Sequence, residues 1–133
     1  MRRLAIACIP LILVLCAALA GCSVPGRGSG AYAIVGATLM DGTALPPVDN
    51  SVVLVEDGKI AAMGRASEVT IPSRAKSVNG QHRFVFPRIL DQPLRVDGPA
   101  DLILCEVNPA RDPDYMKKTA GRMEGGRWTQ FPN

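Results

Sequence analysis

Val52-Val53-Leu54-Val55-Glu56-Asp57-Gly58-Lys59-Ile60-Ala61-Ala62-Met63-Gly64 decides the fold class of this chain. A four-residue apolar run rich in β-branched side chains is too short for a helix and suits a strand. A second apolar run follows after Asp57-Gly58. Two such runs joined by Asp-Gly are the strongest short-range signal of a hairpin, because a type I′ turn needs positive φ at both central residues.

Working outward, the same grammar repeats. Tyr32 to Val35 and Ala37 to Met40 form one extended stretch around Gly36, which marks a bulge, and Asp41-Gly42 closes it with a turn. Ala75 to Val78 and Arg83 to Phe86 are short strands on either side of Asn79-Gly80, and Asp101 to Val107 is another with an apolar centre. Thr119 to Glu124 and Arg127 to Thr129 flank Gly125-Gly126 as a last hairpin. Asp112 to Lys118 reads as a single helical turn with Pro113 near its start. No segment sustains a 3.6-residue period, so the expected fold is all-β, a small β-sandwich over residues 31–133.

Upstream the composition changes. Met1-Arg2-Arg3 is a cationic start, Leu4 to Ala20 is uncharged and apolar, and Leu19-Ala20-Gly21-Cys22 places small residues before a cysteine. This is the anatomy of a secretory signal. The tetrad resembles the lipobox of bacterial lipoproteins, which implies a signal peptide at 1–21, cleavage before Cys22 and acylation of that cysteine, palmitate included. Residues 22–30 then form the lipidated cysteine and a Gly/Ser/Pro tether. Each acyl chain adds about 0.8 kcal/mol per buried methylene, and more than one chain makes the anchor stable. The expected location is the cell envelope, with the periplasmic side of the outer membrane favoured because Ser23 is not aspartate, the residue associated with inner-membrane retention. The extracytoplasmic face of a plasma membrane is the alternative.

Charge and cysteine content narrow the function further. Without Arg2 and Arg3, the 15 basic residues fall to 13 against 12 acidic ones. No basic cluster interleaves with aromatics, so nucleic acid is not an expected partner. Cys105 is the one cysteine left beside Cys22 in the mature part; it sits in Leu102-Ile103-Leu104-Cys105 and reads as a buried, inert thiol.

Two blocks of the β pattern resemble the amidohydrolase superfamily of metal-dependent hydrolases. The first runs from Gly36 through Asp41-Gly42, Val52 to Gly64 and Val78-Asn79-Gly80 to Phe86-Pro87-Arg88-Ile89-Leu90-Asp91; the second comprises Gly98 to Leu104, Asn108-Pro109 and Gly125 to Trp128. In that family the two blocks come from opposite ends of the chain and form a composite β-sandwich beside a catalytic barrel, which needs about 250 residues. Here Asp91 and Gly98 lie almost together, so the resemblance implies the sandwich without its barrel. The positions of the family's first two metal-binding histidines hold Pro93 and Arg95, and Arg88 replaces a motif glycine. Neither proline nor a guanidinium offers a lone pair to a metal.

The sole histidine, His82, reads as a solvated loop residue; Asp41 and Asp57 belong to turns, and Asp101 to a strand end. Lys117, Lys118, Arg122 and Arg127 read as a solvated sheet face, and Trp128 as a core edge. The expectation is therefore no catalytic residue, no metal and no cofactor. The chain reads as a membrane-anchored lipoprotein with a binding or structural role in the envelope. An apolar face left by the missing barrel would serve a protein partner or self-association. The alternative reading is an accessory subunit or remnant of a metal-dependent amidohydrolase acting on C–N bonds.

Overall fold

A computed structural model describes residues 30–133. The expected signal peptide, Cys22 and almost all of the tether lie outside the described residues. The chain order is β1 (Tyr32–Leu39), β2 (Val48–Glu56), β3 (Lys59–Arg65), β4 (Lys76–Asn79), β5 (Phe84–Pro87), β6 (Leu102–Cys105), a 3-10 turn (Tyr115–Lys118), β7 (Thr119–Glu124) and β8 (Arg127–Gln130). No helix among the described residues is long and apolar enough to cross a membrane.

The strands form one hydrogen-bonded path, β3-β2-β1-β5-β6-β7-β8, with β4 branching from β1. β1 is the shared element. Its first half pairs in parallel with β4, Tyr32 to Val35 opposite Lys76 to Asn79, and its second half with β5, Thr38 and Leu39 opposite Phe84 and Val85. β2 runs antiparallel along the other side of both halves. Side chains from both ends of the path, including Ile34, Val53, Ile60 and Val78 with Val85, Leu102, Leu104 and Met123, meet in a single buried cluster. The domain is all-β, as expected, with the two halves of one continuous sheet facing a common core.

The hairpin turns match their chemistry. Asp57 (φ 52°) and Gly58 (φ 78°) both take positive φ, as a type I′ turn requires. Gly125 (φ 54°) and Gly126 (φ 79°) do the same between β7 and β8. Gly36, at φ 87°, sits where the pairing of β1 with β2 shifts register, which is the bulge expected there.

Two strand limits differ from the sequence reading by more than one residue. β2 begins at Val48 rather than Val52. Its polar start hides it: Asn50 takes φ 49° in an irregular stretch, and Ser51 is fully buried, donating its Oγ to the Ala37 carbonyl at 2.7 Å. β6 is shorter than Asp101 to Val107 because Asp101 turns its carboxylate to the backbone N–H of Gly125, at 2.7 Å.

The two hairpin tips touch. A Cβ added to Gly126 would lie 2.5 Å from the Gly58 Cα, whereas one added to Gly125 meets nothing within 4 Å. Both glycines have positive φ, so alanine at either strains the backbone by about 1 kcal/mol. Only Gly126→Ala also forces two backbones apart, at a further cost of about 1–3 kcal/mol. Chemical denaturation should therefore show Gly126→Ala clearly less stable than Gly125→Ala; equal losses would refute the tip contact.

Candidate functional site

The segment between β5 and β6 is closely tied to its surroundings. Arg88 N–H donates to the Asp101 carbonyl (3.1 Å), Gln92 N–H to Ile89 (3.0 Å) and Leu94 N–H to Asp41 (2.8 Å). Asp97 N–H donates to Ile60 and Ile60 N–H to Gly98, at 2.8 and 2.9 Å, while Ala100 N–H reaches Gly58 at 3.0 Å. Leu94 is buried in the main core. Its neighbours Pro93 and Arg95, at the family's ligand positions, are exposed on either side of it.

Asp91, Pro93, Arg95 and Asp101 line a cleft of about 520 Å³ on this segment. A zinc site needs three protein donors from imidazole, thiolate or carboxylate. Here the available oxygens are those of Asp91 and Asp101; one Asp101 oxygen already accepts from Gly125, and the Arg95 guanidinium repels a cation. No group of three such donors occurs among the described residues. The residues present do not fit a metal of the family's kind.

The remaining polar candidates are dispersed. Asp41 accepts from the Thr43 N–H (2.8 Å) and hydroxyl (2.6 Å), which holds the turn after β1. Asp57 occupies its hairpin turn. His82 is exposed at φ 61° in the turn before β5 and lines a different, shallow cleft with Thr38, Asp49 and Gln81.

On the face of β5 and β6 away from the main core, Phe86, Ile103 and Cys105 form a second buried cluster. The β6–β7 connection covers it. The Tyr115 ring meets Phe86 edge-on, with centroids 5.6 Å apart at 76°. The Cys105 Sγ lies 3.1 and 3.2 Å from the carbonyl oxygens of Tyr115 and Lys118, so its thiol is buried and engaged with the backbone of the covering turn. Beside it Arg88 lies 3.7 Å from Glu124, and the Nε atoms of Arg88 and Arg122 are buried without a hydrogen-bond partner.

What the cover leaves open is an apolar groove of about 370 Å³. Phe86 and Met40 line it with Pro47, Pro109 and Tyr115, and Leu45 and Leu90 stand at its rim, 70% and 76% exposed. Sequence reasoning anticipated an apolar face but missed Tyr115 as its cover and both rim leucines. The clustered prolines at 46, 47 and 87 were the available signal. Lys117 and Lys118 belong to the covering turn and pair with Asp114 and Asp112 rather than with a sheet face. Trp128 packs against the main core, as expected of a core edge.

No family model and no curated protein matches the chain. Among solved structures, a portion is similar to molinate hydrolase, at 30% identity over 44% of this chain and 13% of that one, with a TM-score of 0.41. Another likeness is to a Bifidobacterium longum protein assigned as a prolidase, at 23% identity over 47% of this chain and 16% of that one, with a TM-score of 0.43. The alignments thus span less than a fifth of either protein, and both likenesses are partial.

The Lys118 ammonium, hydrogen-bonded to Asp112 at 2.6 Å, is the main cause that holds this carboxyl below the ordinary aspartate range; the Asp114 N–H adds to it, and partial burial opposes it. A depressed pKa stabilises the fold above the unfolded-state value, and that contribution is lost as pH falls through the folded-state value. NMR titration should place the Asp112 midpoint below that of a free aspartate, and Lys118→Met should move it back up. An unchanged midpoint in Lys118→Met would show that the pair does not hold the covering turn.

Proposed function

We propose that this chain is a lipid-anchored, non-catalytic protein of the bacterial envelope, built on an amidohydrolase-like β domain that binds a partner or plays a structural role. The observation that supports it most is the connection between β5 and β6. A hydrolase of the resembled family would insert its barrel here, yet Leu94 is buried in the core and hydrogen bonds tie Arg88, Leu94, Asp97 and Ala100 to Asp101, Asp41, Ile60 and Gly58. Pro93 and Arg95 occupy the positions of the family's metal ligands and cannot replace them.

Cys22 is the anchoring residue in this reading, and the tether holds the domain at the membrane, with the periplasmic side of the outer membrane as its place. The groove rimmed by Leu45 and Leu90 is the surface where further burial on contact would gain most.

Two measurements test this reading. Radiolabelled palmitate should enter the wild-type chain and not Cys22→Ser, and the variant should move from the membrane to the soluble fraction. The purified protein, dialysed after zinc loading, should retain no stoichiometric metal. One zinc held per chain would overturn the non-catalytic assignment, and equal labelling of the variant would overturn the anchor.

A further inference from the structure

The end of the domain from which the chain runs back to Cys22 carries an aromatic cluster. The Tyr32 and Trp128 rings meet edge-on with centroids 5.9 Å apart, and Phe131 completes the group at 5.5 Å from Trp128 and 6.5 Å from Tyr32. Half of the six aromatic residues of the chain are gathered here. Tyr32 and Trp128 rest against the main core, whereas Phe131 is 58% exposed, the one exposed aromatic ring among the described residues.

The cluster is fixed in place. Pro132 is buried, and the Arg83 guanidinium donates to the Asn133 carbonyl at 2.7 Å, which pins the segment after β8. Cations flank it. Lys76 is the register partner of Tyr32 on β4, and Lys59 follows the neighbouring hairpin tip; both are exposed and form no ion pair among the described residues. The nearby acids are Asp57, exposed in the turn, Asp97, exposed and hydrogen-bonded through its N–H to Ile60 beside Lys59, and Glu56, which Arg74 neutralises at 2.7 Å.

We propose that this Tyr32–Trp128–Phe131 surface, with Lys76 and Lys59, docks against the surface of the bilayer that holds the lipid anchor. The inference rests on acylation of Cys22. Ten Cα-to-Cα steps lead from Cys22 to Tyr32, a reach of at most about 35 Å. The tether keeps the cluster near the membrane, but its reach exceeds the length of the eight-residue β1, about 26 Å, so contact at the cluster has to choose which end of β1 faces the bilayer. The Trp128 indole N–H is buried without a partner, so the exposed Phe131 ring is the part of the cluster that meets the bilayer, and exposed lysines favour an anionic leaflet. The anchor supplies the affinity, so docking sets orientation: it turns the groove rimmed by Leu45 and Leu90 away from the bilayer.

Trp128 is the only tryptophan in the chain and so reports on its own surroundings. The membrane-extracted full-length product is reconstituted into phosphatidylethanolamine–phosphatidylglycerol vesicles with and without brominated acyl chains. Mass spectrometry of its N-terminus separately records whether Cys22 is acylated. Docking predicts that bromination lowers Trp128 emission, because the indole lies against the Phe131 ring that enters the lipid. Phe131→Asp should abolish most of that quenching while remaining bound to the vesicles, and Leu90→Asp, at the far end, should leave it unchanged.

Acylated, vesicle-bound protein with unquenched Trp128 overturns the docking and keeps the anchor. Unacylated protein that is nevertheless bound and quenched, and is sensitive to Phe131→Asp, keeps the docking and overturns the anchor. Emission that follows protein concentration rather than bromination assigns the cluster to a second copy of the chain and also overturns the docking.

Discussion

The fold depends on one strand serving two neighbours in succession. β1 pairs with β4 along Tyr32 to Val35 and with β5 along Thr38 and Leu39, and the change of partner occurs across Gly36 and Ala37. A regular strand cannot make that step, because its side chains would stay in phase with a single neighbour. Gly36 at φ 87° absorbs the extra residue, and Gly80, whose added Cβ would stand 2.8 Å from that of Ala37, lets the β4–β5 connection pass close by. The kink leaves the Ala37 carbonyl to be satisfied inside the core, and the buried Ser51 hydroxyl does so at 2.7 Å. An unmet buried carbonyl costs about 1–3 kcal/mol, which explains a polar residue at the most buried level of β2.

This geometry made the turns legible in the sequence and the pairing illegible. Asp57-Gly58 and Gly125-Gly126 declare themselves because positive φ at two successive residues restricts the choice of amino acid. The Gly36 bulge is readable for the same reason. The start of β2 is not, since Asp49, Asn50 and Ser51 read as loop residues until the partners of Asp49 and Ser51, the Thr38 hydroxyl and the Ala37 carbonyl, are in place. Likewise, nothing local tells β4 and β5 to run parallel to β1. That arrangement follows from Val78 and Val85 burying against the same core from opposite halves of the sheet.

The candidate site divides along the same line. Residue identity alone removes Pro93 and Arg95 from metal binding. The burial of Leu94 between them, and the hydrogen bonds from this segment to Asp41 and Ile60, are tertiary facts that no spacing reveals. Tyr115 is the sharper case. It lies in a polar stretch and reads as a surface turn, yet its ring covers Phe86 and its carbonyl lies within reach of the Cys105 thiol. Cys105 is buried, as its apolar run led one to expect, but the element that buries it could not be identified from an apolar pattern.

The connection and the cover act together. A firmly bound β5–β6 connection would not suffice if the Phe86–Ile103–Cys105 face lay open, because apolar surface of this kind favours association. Covering that face would not suffice if the segment were loose, because Leu94 would leave a gap in the core. Both are present, and each uses β1 or its turn: Leu94 hydrogen-bonds Asp41, and Met40 packs against the covered cluster. The strand that joins the two sheet halves thus also holds the β5–β6 connection at its far end, through Asp41. One element thereby supports both the β5–β6 connection and the cover over the second cluster.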